Sequence, residues 1–484
     1  MMSIQEKYEA IIGLEIHVQL KTATKAYSSD RVSFGGKPNT YVSAVSLGHP
    51  GTLPFMNRAT IDSAIKLGLA CGCDIRRVNE FARKNYFYAD LPKGYQITQD
   101  KTPICTGGQV IIRDAEGNDK VIRLTRIHME EDSGKSIHDL DPDYSLIDLN
   151  RAGTPLLEIV SEADFRNGQE AYNYLFEMRK LVRYLDISDG NMEEGSLRCD
   201  VNVSIRPWGQ EKFGTKVEVK NLNSFRHVQK AIDFEIHRQF EAYESGEKVV
   251  QQTRSFDPVK GVTFVLRDKE DAQEYRYFPE PDLPPVIVEK EHIGSIREIL
   301  PELPAARLER YISKLQLSEY DARILTDSKS TADYFDQLCE HAPSAKAATN
   351  FILGYVKAWL NEQAAEIEDF PIKAEAAGVV LHMIESGKIS HTIANQKLLP
   401  ALMENPDAQP EKLAEENNWI QLGDSDQLMD WARQALESYP DKVAEYKSGK
   451  KGLMGLFMGE VMKASRGKAD PRKTTEILTQ LLNN

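Results

Sequence analysis

The 484-residue chain is short of several things, and each shortage excludes a class of protein. It holds five cysteines, an odd number in a chain of this size, so a disulfide-stapled secreted scaffold is not expected and reduced thiols are. No apolar run approaches the length of a membrane span, and mean hydropathy is -0.46; a membrane protein is not expected. Met1 to Glu9 lacks the charged-then-apolar pattern of a secretory leader, which points to a cytoplasmic protein. Positive charge is in deficit: 60 Lys and Arg against 74 Asp and Glu give a net charge of -14. That argues against a surface that coats nucleic acid everywhere, but a local basic patch remains compatible with it.

Familiar site motifs are missing too. Gly134-Lys135-Ser136 looks like the end of a phosphate-binding loop, but Met129 stands where the first glycine is required. Asp139, Asp141 and Asp143 open like a calcium loop, yet Tyr144 and Asn150 occupy the glycine and glutamate positions. Cys71 and Cys73 are one residue apart with no second pair, too close for the usual structural zinc spacing. There is no Gly-x-Ser-x-Gly elbow.

What is present begins with a hydrophobic fraction of 41%, enough to fill a core. The length suggests two or three domains. From Tyr8 to about Glu289 short alternating strands mix with helical spacings at Arg58–Cys71, Gly168–Leu185 and Ser224–Gly246. This predicts an α+β fold with mostly antiparallel sheet. Pro279-Glu280-Pro281-Asp282-Leu283-Pro284-Pro285 cannot continue a helix or central strand. Beyond about His292 amphipathic helical spacing takes over, including Ser295–Leu315, Ser330–His341 and Ser344–Glu362, and Ala401–Leu413 is looser. The expected domains are 1–293, 294–410 and 411–484, the last two all-α. The final one is locally basic, with Lys447, Lys450, Lys451, Lys463, Arg466, Lys468, Arg472 and Lys473.

The strands carry the functional signal. In Ile12–Lys21 the apolar residues Ile12, Leu14, Ile16, Val18 and Leu20 alternate with Gly13, Glu15, His17, Gln19 and Lys21. Side chains alternate faces along a strand, so Glu15, His17 and Gln19 share one side. Leu197–Arg206 repeats the pattern with Arg198, Asp200, Asn202 and Ser204 on the polar side. Three further segments follow suit: Arg126, His128 and Glu130, with Glu131 and Asp132 continuing; Lys84, Tyr86 and Tyr88; and Lys216, Glu218 and Lys220, followed by Asn221. Asp and Asn are poor strand formers, so these faces read as working surfaces. Glu15, His17, Glu130, Glu131 and Asp200 could converge on a divalent cation. Carboxylates suit Mg²⁺, while a histidine leans toward Mn²⁺ or Zn²⁺.

Longer motifs carry a family resemblance. Ile12-Gly13-Leu14-Glu15-Ile16-His17-Val18-Gln19-Leu20, Arg83-Lys84-Asn85-Tyr86-Phe87-Tyr88 and His128-Met129-Glu130-Glu131-Asp132-Ser133-Gly134-Lys135-Ser136 are three of them. Met192-Glu193-Glu194-Gly195-Ser196-Leu197-Arg198-Cys199-Asp200, Glu218-Val219-Lys220-Asn221-Leu222-Asn223-Ser224 and Tyr275-Arg276-Tyr277-Phe278-Pro279-Glu280-Pro281 are others. The chain resembles, over essentially its whole length, the B subunits of the bacterial glutamyl/aspartyl-tRNA amidotransferases. One departure is Ala89, where many relatives carry proline.

The resemblance implies a cradle-shaped catalytic domain, a helical domain and a small helical tail that contacts tRNA. It implies an ATP- and Mg²⁺-dependent activity on the side-chain carboxylate of misacylated Glu-tRNA(Gln) or Asp-tRNA(Asn). Ammonia would come from an amidase-family A subunit, and a small C subunit would brace the pair. Matched residue by residue, Glu15, His17 and Glu130 are expected as metal ligands or supports, with Glu131 a further candidate ligand and Asp200 a further catalytic candidate. Lys84 and Arg198 are expected to contact phosphate or carboxylate. Lys220, Asn221 and Ser224 are expected to line the nucleotide or acceptor-end pocket. A non-catalytic tRNA-binding scaffold and a free-standing ATP-dependent ligase are the competing readings. The first leaves the polar strand faces unexplained, and the second lacks a recognisable nucleotide loop.

Overall fold

Period-2 alternation becomes strand wherever one face can be buried. The computed structural model describes residues 4–138, 140–268, 274–420, 425–465 and 469–483. Asp139, Arg466 and Lys468, named above, lie outside them. Two compact units divide the chain, Met1–Pro304 and Ala305–Asn484.

The first unit is built on strands β1 (Tyr8–Gln19), β2 (Ala82–Asn85), β3 (Tyr95–Thr98), β4 (Asp119–Glu131), β5 (Pro155–Ser161), β6 (Leu197–Pro207), β7 (Val217–Leu222), β8 (Gln252–Asp257) and β9 (Val262–Asp268). They belong to one sheet, thirteen-stranded among the described residues, with the spatial order β9-β8-β7-β6-β1-β5-β4-β3-β2. Along this order only β7 and β8 pair in parallel; the other pairs are antiparallel. The fold class is α+β, as the sequence predicts.

One face of the sheet is the core. Ile12, Leu14, Ile16 and Val18 of β1 and Leu197, Val201 and Val203 of β6 are fully buried. Helices α1 (Arg58–Ala70), α2 (Gly168–Tyr184) and α3 (Phe225–Glu244) supply residues to the same core, among them Ile65, Tyr174, Met178, Val228 and Ile232. Each helix starts at a side-chain cap. Asn57 accepts from the Ala59 N–H, Asn167 from the Glu170 N–H and Ser224 from the His227 N–H. Burying the apolar face pins the register, because a one-residue slip would turn every core side chain outward. The polar residues of β1, β4, β5 and β6 are thereby fixed against one another.

The alternation at Lys84–Tyr88 is strand only as far as Asn85. Asn85 pairs with Tyr95, the first residue of β3, and the chain then turns through the Leu91 N–H to Tyr88 carbonyl bond. Tyr86 and Tyr88 therefore belong to a loop. The spacing at Ser295–Leu315 is two helices, Lys290–Glu298 and Pro304–Ser313. Pro301 lies between them and Pro304 opens the second, since proline is tolerated in the first turn of a helix but breaks its interior.

The second unit is helical among the described residues. Its apolar residues gather in two clusters, one around Phe335, Val356, Val380 and Leu398 and the other around Leu428, Phe457 and Leu478. Lys447, Lys450, Lys451, Lys463, Arg472 and Lys473 are exposed. No described helix is long and apolar enough to cross a membrane.

Candidate active site

Sheet register sets the site. His17 on β1 faces Arg198 of β6 on one side and Glu158 of β5 on the other, and Glu158 in turn faces His128 of β4. Directly opposed side chains on a sheet stand roughly 5 Å apart, so four polar groups form a row across four strands. Glu130, two residues beyond His128, joins them on the same face.

The row closes tightly. The Nε2 of His17 lies 3.4 Å from a Glu130 oxygen and 3.3 Å from a Glu158 oxygen. Potential donor atoms of His17, Glu130 and Glu158 all lie within 4.8 Å of one another. Behind them His128 Nε2 is 3.5 Å from Glu158 and 3.9 Å from Glu130. Its Nδ1 is buried without a hydrogen-bond partner.

Electrostatics follow from burying two carboxylates together. Burial, then the charge of Glu158, pushes the Glu130 carboxyl up to about 7. Burial works against the Glu158 charge as well, but His128, His17 and Lys84 hold its carboxyl well below the usual range. Burial disfavours the His17 imidazolium, yet Glu158 and Glu130 overcome this and raise it to about 9. Burial dominates at His128 and lowers it to about 4. The Lys84 ammonium also resists burial, with Glu130 and Glu158 holding its pKa up. A pair of buried carboxylates costs several kcal/mol unless cations compensate. One imidazole and two carboxylates form a donor set for a divalent metal, the carboxylates suiting Mg²⁺ or Mn²⁺ and the imidazole leaning toward Mn²⁺ or Zn²⁺.

Above this cluster lies a cavity of about 490 Å³. His17, Lys84, Glu130, Arg198, Asp200, Lys220 and Asn221, all expected from the sequence, line it together. Arg198 is anchored, its Nη2 donating to Asp132 Oδ2 at 2.7 Å, and Gln19 donates to the same oxygen at 2.7 Å. Lys220 pairs with Asp200 and with Glu218. Asn221 adopts the left-handed backbone conformation, at φ 62.

Three expected residues do not line this cavity. Glu15 accepts from Asn202 at 3.1 Å, opposite Asp200, and does not line the cavity. Glu131 follows Glu130 on the strand and so faces the other way. It accepts from the Ile97 N–H at 2.9 Å and pairs with Lys93, in a second cavity of about 240 Å³. Ser224 caps α3 with its hydroxyl.

Glu158 and Asp132 were missing from the expected set. Asp132 was visible only as the end of an acidic run. Glu158 had one signal: it is the lone charge in Pro155-Leu156-Leu157-Glu158-Ile159-Val160-Ser161.

Residues 10–294 match the family model described as the GatB/GatE catalytic domain, and residues 333–482 match the GatB domain. The class defined is thus a GatB-type protein with its catalytic domain first. A relative from Persephonella marina is 46% identical over 479 residues, covering 98% of this chain and 100% of its own length. Relatives from Bdellovibrio bacteriovorus and Geotalea daltonii are each 48% identical over 98% of this chain and 99% of their own lengths. All three are named as the B subunit of an aspartyl/glutamyl-tRNA(Asn/Gln) amidotransferase. This chain belongs to that B-subunit family.

Proposed function

We propose that this chain activates the side-chain carboxylate of Glu or Asp misattached to tRNA(Gln) or tRNA(Asn) and then transfers ammonia to it. The observation that carries the reading is the convergence of His17, Glu130 and Glu158 beneath a polar cavity. A free carboxylate resists amination because oxide is a poor leaving group. Transfer of the γ-phosphoryl group of ATP to a carboxylate oxygen gives an acyl phosphate and ADP. Attack by ammonia on the acyl carbon then expels inorganic phosphate and leaves the amide.

Phosphoryl transfer asks the protein mainly for positioning and charge neutralisation. His17, Glu130 and Glu158 would hold a divalent cation, which would supply positive charge to neutralise phosphate oxygens. Lys84 supplies a fixed positive charge beside them. Arg198, held by Asp132, is oriented toward substrate oxygens. Asp200 sets Lys220, and Lys220 and Asn221 line the wall where nucleotide or acceptor end would lie. Glu15 and Ser224 support the site through Asn202 and the α3 cap, and Glu131 belongs to the second cavity.

The absence of an amidase nucleophile motif fits ammonia supply by an A subunit of the amidase family, with a small C subunit to brace the pair. The segments 294–410 and 411–484 are read as helical modules, the tail touching tRNA through its exposed lysines. The family's role in translation fits a cytoplasmic location.

The test is amide formation by the complex of this chain with its A and C partners, on misacylated tRNA with ATP, Mg²⁺ and ammonium chloride. Ammonium bypasses glutamine hydrolysis. His17→Ala and Glu130→Gln should lose amide while glutamine hydrolysis persists. Full activity in both variants would move the reading to a tRNA-binding scaffold.

A further inference from the structure

Beside the candidate metal ligands four tyrosines run outward from the cavity. Tyr86 lines the cavity itself. Its ring lies 5.7 Å from Tyr88 and 6.1 Å from Tyr275, and Tyr275 lies 6.1 Å from Tyr277. Interplanar angles of 65°, 72° and 69° make every one of these contacts edge-to-face. None of the four rings is therefore stacked flat on another of the four. The two outer rings are open to solvent, Tyr88 at 52% and Tyr277 at 42%.

The arrangement is held in place. Asn85 binds the opposite segment three times, through its own N–H to the Tyr275 carbonyl and through Nδ2 to the carbonyls of Tyr275 and Arg276. Arg276, between Tyr275 and Tyr277, is kept in the left-handed conformation at φ 43, which a side chain with a Cβ adopts only under constraint. The Lys84 ammonium sits 4.8 Å over the Tyr275 ring. Lys84 thus touches both the aromatic run and the field of Glu130 and Glu158.

Aromatic rings spaced beside a positive charge are how single-stranded nucleic acid is held without sequence preference: bases stack on rings and the cation meets the backbone. A mononucleotide brings one base. This run has rings from cavity wall to exposed rim, matching successive unpaired bases that lead inward. We propose that Tyr86, Tyr88, Tyr275 and Tyr277 form a stacking platform for the single-stranded 3′ end of the aminoacyl-tRNA, delivering its terminal residue to the metal-side floor of the cavity. This rests on the function proposed above and adds the surface that positions the substrate.

The test uses the complex with its partner subunits and measures KM for misacylated tRNA and for ATP separately. Tyr88→Ala and Tyr277→Ala are compared with Tyr88→Phe and Tyr277→Phe, which keep the ring. Each alanine variant should raise the tRNA KM by at least about fivefold, the lower end of one lost base–aromatic stack. Each phenylalanine variant should stay near wild type, and the ATP KM should not move. A tRNA carrying 2-aminopurine at its 3′ end should lose fluorescence on binding to wild type and regain it with the alanine variants. An unchanged tRNA KM in both alanine variants, or a rise confined to the ATP KM, would overturn the platform. A wild-type complex that amidates no misacylated tRNA would instead overturn the functional reading, and the platform with it.

Discussion

The Nε2 of His17 stands 3.3 Å from the Oε2 of Glu158, its direct register partner on the neighbouring strand. The contact fixes how the site titrates. In the metal-free protein His17 is raised from 6.5 to about 9, burial being outweighed by Glu158 and Glu130. A raised folded-state pKa adds stability that is full below 6.5 and is lost as pH climbs through about 9. A metal takes the neutral imidazole, so binding must displace that proton. Mn²⁺ affinity is therefore expected to rise with pH across this window, by up to about tenfold per unit. Titration of Mn²⁺ by its paramagnetic signal at several pH values checks this, and His17→Gln should flatten the profile above about 7, leaving the rise below it that Glu130 contributes.

Asp132 is buried and accepts from both Gln19 and Arg198. Burial opposes its charge, but Arg198 and Arg151 keep its carboxyl below the ordinary range. Asp132→Ala removes the anchor of a guanidinium that faces the cavity. A stability loss of about 1–3 kcal/mol is expected in urea unfolding. A fall in kcat/KM of roughly a hundredfold should accompany it, because small misplacements of a positioning group are costly.

Glu235 on α3 tests the scaffold rather than the site. Its side chain is fully buried and pairs with Arg238 and Arg254. The Thr263 hydroxyl donates to the same carboxylate, joining α3 to β8 and β9. Glu235→Ala strands Arg254, itself nearly buried, and is expected to cost about 3–5 kcal/mol. Activity per folded molecule should survive at low temperature, which separates this variant from those in the cavity.

The sequence was most legible where period and burial agree. The alternations of Ile12–Lys21 and Leu197–Arg206 became adjacent strands with their apolar faces buried, and Asn57, Asn167 and Ser224 cap helices expected within a residue or two. His17, Glu130, Arg198, Asp200 and Lys220 share a cavity because that register is pinned by the core. Glu158 escaped because β5 is a central strand buried on both faces, so its sequence reads as a continuous apolar run with no polar alternation to mark it. Glu131 and Glu130 read as one acidic cluster in sequence, but adjacent strand residues face opposite ways. Tyr86 and Tyr88 shared an expected strand face. Their loop, and the approach of Tyr275 and Tyr277 from far along the chain, depend on pairings that no local pattern encodes.

The most direct measurement of the central claim is hydroxylamine trapping of the activated carboxylate. The complex would be given misacylated tRNA, ATP and Mg²⁺ with no glutamine and no ammonium, and hydroxamate on the tRNA-bound amino acid would be counted against ADP released. Wild type is expected to form hydroxamate and ADP in equal amounts, and Glu158→Gln to form neither while still binding tRNA. Hydroxamate from Glu158→Gln at the wild-type rate would contradict the account.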